Sequence, residues 1–172
     1  MNARAFDPNG PDVKKLRRQM LSKTNLRGFM ASKLPLALMA GLKVTHLDAS
    51  SCKTTVRYGW RTTNPFKSTY FAALAMAAEM STGALGLSLV QAAPEPVSIL
   101  ITGMTAEFVK KATDLTTFTC GDGAALQDAV VETLQSGEGT TCVATSTGTN
   151  QAGEVVARFT FTWSFKKKGS KR

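Results

Sequence analysis

From Phe71 to Pro94 the chain reads FAALAMAAEMSTGALGLSLVQAAP, and one charge, Glu79, interrupts the run. Small and apolar residues occupy every side of a helical wheel here. The pattern predicts a helix from about Tyr70 to Gln91 that is covered on nearly all faces. Residues 154–165, EVVARFTFTWSF, follow a different period. Val155, Ala157, Phe159, Phe161, Trp163 and Phe165 share one face, and Val156, Arg158, Thr160, Thr162 and Ser164 the other. That alternation predicts a half-buried antiparallel strand, joined to residues 140–148 through the turn NQAG at 150–153.

Weaker signals fill in the rest. Residues 42–48 and 52–60 alternate like strands around the turn residues Asp48 to Ser51. Residues 98–109 and 114–120 read as the next pair of strands. In 124–136 Leu126, Val130 and Leu134 recur at helical spacing, with Asp122 as the expected N-cap and Gly137 as the stop. Residues 11–30 predict one helix with Val13, Leu16 and Met20 on its apolar face and bases opposite. Leu34-Pro35 breaks the chain, and 61–68, RTTNPFKS, is a polar loop with a turn at Asn64-Pro65. One apolar helix among antiparallel strands needs a sheet that curls around it, so the fold class is α+β.

Composition changes this picture little. The 172 residues suit one domain, with 43% hydrophobic and 19% charged positions. The net charge of +9 is localised. Residues 1–33 hold eight Lys/Arg against two Asp, and KKKGSKR at 166–172 holds five bases and no acid. Eight bases and ten acids remain in 34–165, so the split is +6, −2 and +5. The expectation is solvated basic ends, and without interleaved aromatics a nucleic-acid role is disfavoured. Residues 1–30 have no uninterrupted apolar core, so no signal peptide is expected. The run 71–94 is long enough for a transmembrane segment. Its small residues and central Glu79 favour the core of a soluble, cytoplasmic protein instead.

Cys52, Cys120 and Cys142 are widely spaced and odd in number, which suggests reduced thiols and neither a disulfide framework nor a zinc site. His46 is the only histidine, so triads and multi-His metal sites within one chain are excluded, and its place in a strand suggests a structural role. Glu79 is the candidate for chemistry, because a carboxylate is costly to bury without a task or a partner. Its structural alternative is an ion pair with Arg57 or Arg61 across a subunit contact.

The helix inside an antiparallel sheet resembles the hotdog fold, and the motifs agree. Hotdog acyl-CoA thioesterases of the phenylacetyl-CoA or 4-hydroxybenzoyl-CoA type place an Asn before the central helix and an acidic residue fifteen positions later. Asn64 and Glu79 stand fifteen apart. ITGMTAEFVKKATD, after the helix, is similar to that family's third strand. The resemblance covers residues 30–165 and points to a little-characterised bacterial branch. It implies a sheet of about six strands around a long central helix, with a basic N-terminal helix and lead-in (1–33), the hotdog domain (34–165) with a short second helix, and a basic disordered tail (166–172). The pattern departs from that family at one place. Lys67 stands where the thioesterases have a Gly, and Tyr70-Phe71-Ala72 where they have His-Gly-Gly.

The resemblance implies a thioesterase in which Glu79 is the general base or nucleophile and Asn64 holds the water or the carbonyl oxygen. Tyr70, Ser81 and Thr82 are candidates for contacting substrate, and Lys110 and Lys111 for reaching the phosphates of coenzyme A. The alternatives are packing for Tyr70, a turn or cap for Asn64, back-bonding to the helix for Ser81 and Thr82, and solvated charge for the lysines. The expected substrate is an acyl-CoA or acyl-carrier thioester, with coenzyme A present only as part of it and no separate cofactor or metal. The expected assembly is a homodimer or dimer of dimers. A non-catalytic acyl binder is the alternative function. A dehydratase, which needs a His paired with a carboxylate, is set aside because His46 precedes the helix by two strands.

Overall fold

The apolar run forms one helix in the computed structural model, which describes residues 6–169. In chain order the elements are α1 (Pro11–Leu21), α2 (Lys23–Lys33), α3 (Pro35–Met39), β1 (Lys43–Leu47), β2 (Cys52–Arg57), α4 (Phe71–Ala92), β3 (Val97–Phe108), β4 (Leu115–Cys120), α5 (Gly123–Ser136), β5 (Thr140–Thr149) and β6 (Val155–Lys167). The six strands form one sheet in the order β1-β2-β4-β5-β6-β3, antiparallel throughout. The sheet wraps α4, as the resemblance implies.

Small residues set how close the helix lies. A Cβ on Gly86 would come within 2.7 Å of the Ile99 side chain of β3. Thr54 of β2 donates its hydroxyl to the Ala77 carbonyl of α4 at 2.5 Å. The core closes around Phe118, Phe159, Phe161, Phe165, Leu85 and Leu89, all buried. The alternation expected of β6 holds from Phe159 to Phe165. Val156, expected on the outer face, is buried as well, next to the register shift at Gly148/Thr149.

Several expectations need correction. The helix expected over 11–30 is two helices, broken at Ser22, whose backbone is extended at φ −68° and ψ 119°. The break redirects the chain so that Val13 of α1 and Met30 of α2 are both buried in the core. Pro35 does more than interrupt the chain: it opens the short helix α3, where its missing N–H costs nothing. Asp122 precedes α5 but makes no side-chain cap; its carboxylate accepts the Thr145 N–H at 2.6 Å. Of the two tryptophans, expected in the core or at an interface, Trp163 is core and Trp60, in the loop after β2, is 89% exposed. β6 continues to Lys167, where Lys167 pairs with Glu95 at 2.6 Å. The Lys168 N–H donates to the Pro96 carbonyl at 2.8 Å. The first lysines of the expected disordered tail therefore belong to the sheet, and residues 170–172 lie outside the described residues.

Candidate active site

Glu79 lies midway along α4, partly buried in the wall of a cavity of about 620 Å³. The cavity lies between α4 and the pair α1–α2. Met80, Ala84, Leu87, Ile99 and Trp163 form apolar wall, and Gln19, Asn25 and Gln91 supply exposed amides. Among the described residues no cation pairs with the Glu79 carboxylate. Burial therefore acts unopposed and pushes its carboxyl up from 4.5 to about 7.

Two residues that the sequence reading gave to packing, Gly83 and Trp163, shape this spot. Gly83 sits one turn after Glu79, and a Cβ there would lie 2.8 Å from Glu79 Oε1 and 3.2 Å from the Trp163 ring. The absent side chain makes room for both groups. Trp163 is pinned in turn, because its indole N–H donates to Thr82 Oγ1 at 3.0 Å. The i, i+4 spacing of Glu79 and Gly83 was the available signal, since it puts both on one helix face.

The other candidates lie apart from this carboxylate. Thr82 donates to the Glu79 carbonyl at 3.0 Å and carries Trp163, so it works on the ring and the backbone. Ser81 is fully buried, bonded to the Ala78 carbonyl at 2.8 Å and to Ser146 Oγ at 2.7 Å, facing the sheet. Tyr70 and Phe71 are exposed at the start of α4, in edge contact at 4.8 Å between centroids. Nine residues of helix put Tyr70 ~13 Å from Glu79 along the axis. Lys110 pairs with Glu154 at 2.6 Å on the surface, and Lys111 donates to the Phe66 carbonyl at 3.3 Å.

Asn64 organises its own loop. Its Oδ1 accepts the N–H groups of Phe66 at 2.9 Å and Ser68 at 3.2 Å, and its Nδ2 donates to Ser68 Oγ at 3.1 Å. Lys67, inside that loop, has φ 57°, the one left-handed non-glycine among the described residues. The backbone thus keeps the conformation that a glycine would adopt without strain. Lys67→Gly is expected to raise stability by about 1 kcal/mol, read as a rise of a few degrees in Tm. An unchanged or lower Tm would mean that the lysine side chain earns its place by contacts.

The three cysteines are buried free thiols. Cys52 and Cys120 face each other across β2 and β4, and burial pushes both thiols up to about 12.

These observations can be set beside known proteins. A family model described as a domain of unknown function, DUF4442, matches residues 22–165. The chain belongs to the DUF4442 family. No curated protein matches it. Among solved structures, a Pseudomonas aeruginosa protein of unknown function, described as a probable thioesterase, is similar with a TM-score of 0.71. It is 21% identical over 87% of this chain and 99% of its own. A Chlorobaculum tepidum protein of unknown function gives TM-score 0.72 at 15% identity, covering 95% of this chain and 99% of its own. A Haemophilus influenzae thioesterase gives 0.62 at 11% identity, covering 85% and 91%. At these identities the likeness establishes the fold, so this DUF4442 chain has the hotdog fold of thioesterase-family proteins. The match begins at residue 22, so the cavity's α2 wall lies within the family domain and α1 precedes it.

Proposed function

We propose that this protein hydrolyses acyl thioesters with Glu79 as general base. The observation that carries the reading is a carboxyl titrating near neutrality in the wall of an apolar cavity large enough for a small ligand. The acyl chain occupies the cavity and presents its carbonyl carbon near Glu79. The carboxylate takes a proton from water as the oxygen adds to that carbon. The tetrahedral adduct collapses, the C–S bond breaks, and Glu79 returns the proton to the departing thiolate. The apolar wall keeps the carboxyl basic enough for the first step and acidic enough for the last.

The oxyanion needs donors, and the first turn of α4 has free N–H groups at Phe71 and Ala72. They stand too far along the helix to serve Glu79 of the same chain. A homodimer formed through β3 resolves this. β3 is a sheet edge with Leu100, Met104 and Phe108 exposed along it, a surface suited to pairing with a second copy. Two-fold pairing brings the loop of one copy to the carboxylate of the other. Coenzyme A or a carrier protein delivers the acyl group.

Gly83→Ala tests the geometry directly. The added methyl displaces the Glu79 carboxylate, because the hydrogen-bonded Trp163 ring cannot yield. Thiol release is expected to fall on the order of tenfold to a hundredfold, with the fold intact. A variant as active as the parent would remove Gly83 from the site.

The second reading is a non-catalytic acyl binder. The internally bonded Asn64 side chain and the exposed Tyr70-Phe71 pair at the helix start favour it. Thiol release from a panel of short, long and aromatic acyl-CoAs separates the two. No release from any substrate by a well-folded protein selects the binder, whose copurified acyl ligand then becomes the object of search.

A further inference from the structure

We propose that the α1–α3 cap is a docking surface for an anionic lipid bilayer. Residues 13–43 contain eight bases, Lys14, Lys15, Arg17, Arg18, Lys23, Arg27, Lys33 and Lys43, and neither Asp nor Glu. Arg17 is buried, and the other seven reach solvent. In the same stretch the turn from α2 into α3 leaves large apolar side chains uncovered. Leu36 is 68% exposed and Met39 64%, three residues apart on one face of α3. Leu34 and Phe29 are exposed beside them and also line the cavity that holds Glu79.

Exposed apolar side chains between Lys33 and Lys43, in a stretch of chain from 13 to 43 that carries bases and no acid, suit one partner. A bilayer interface accepts Leu and Met into its acyl boundary while its anionic headgroups meet the surrounding Lys and Arg. A second copy of this face would bring cations against cations. Nucleic acid would satisfy the charges but offer Leu36 and Met39 nothing to enter, and the patch lacks the aromatic series on which bases stack. The exposed apolar residues of β3 differ in setting, since Glu107 and Arg158 pair beside them at 3.4 Å. Docked through α3, the protein has Phe29 and Leu34 at the lipid boundary, so the cavity is loaded from the membrane. That last consequence rests on the proposed thioesterase reading, whereas the docking itself does not.

The full chain should cosediment with phosphatidylcholine vesicles containing a third of phosphatidylserine, and not with pure phosphatidylcholine. Leu36→Asp combined with Met39→Asp is expected to weaken this on the order of a hundredfold. Both side chains are exposed, so Tm should hold. Lys33→Glu with Lys43→Glu should weaken binding too and flatten its salt dependence. Failure to bind anionic vesicles overturns the proposal. So does binding that ignores Leu36 and Met39 but vanishes when residues 166–172 are deleted, or a preference for duplex DNA over vesicles. Release of thiol from a water-soluble short acyl-CoA, measured on the same variants, should not change. No thiol release from that substrate by the parent chain, with its vesicle binding intact, counts against the hydrolase reading and leaves the docking surface standing.

Discussion

Glu79→Gln is expected to abolish thiol release while making the folded protein more stable above pH 7. Gln is close to Glu in shape but cannot take a proton from water, so the loss should be on the order of a hundredfold or more. The stability effect follows from the raised carboxyl. Between its ordinary 4.5 and about 7 the folded state holds a proton that the unfolded chain has released. Stability therefore falls as pH rises through that window and stays low above it. The full difference amounts to about 3 kcal/mol at most, or ~6–12 °C in Tm for a chain of this size. Gln carries no such penalty, so the variant gains most above pH 7 and matches the parent below 4.5. The parent's kcat/KM should rise with pH through about 7, as the base loses its proton. A structural ion pair at Glu79 with Arg57 or Arg61 of a second subunit predicts the opposite sign, a variant that melts lower at neutral pH. Activity that survives in the variant would end the case for Glu79 as base.

Gly123→Ala is expected to be among the most damaging single-methyl additions to the fold. A Cβ at this first residue of α5 would run into the Ala49 carbonyl oxygen and lie 2.7 Å from the Ser50 carbonyl carbon. Those atoms are backbone in the tight turn between β1 and β2, where Asp48 Oδ1 accepts the N–H groups of Ser50 and Ser51, both at 2.8 Å. The Gly123 N–H itself donates to the Ser50 carbonyl at 3.0 Å. Turn and helix start are thus locked against each other, and neither can withdraw without breaking bonds. The expected cost is about 3 kcal/mol, a drop of roughly 10 °C in Tm. Gly121→Ala, two residues earlier with nothing within 4 Å of its Cβ, should change little. Equal Tm values for the two variants would show that the turn gives way.

The strongest periodic signals carried the fold. α4 was legible because an apolar surface all the way round must be covered all round, here by the curled sheet together with α1 and α5. β6 was legible because Phe159, Phe161, Trp163 and Phe165 alternate with polar positions and leave no helical reading. Glu79 stood out as the lone charge in α4. What escaped the sequence came from tertiary contacts. The break at Ser22 was invisible because the apolar spacing of α1 runs on into α2 without a proline. The cavity was invisible because two helices distant in sequence from β3 and Trp163 build it. Asn64 shows why a motif residue cannot be assigned from spacing alone. Its amide has both the groups that hold a water and the groups that hold a turn, and in this chain the Phe66 and Ser68 backbone takes them.

The strand order has a consequence for how the chain is made. α4 leaves the ribosome more than sixty residues ahead of β6, which closes the sheet beside it and pairs with both β3 and β5. Until those late strands arrive, a helix apolar on every side is without much of its cover. Completion of the fold thus waits on pairings between distant segments, which form slowly. The nascent chain in this respect exposes an apolar helix that the finished protein covers.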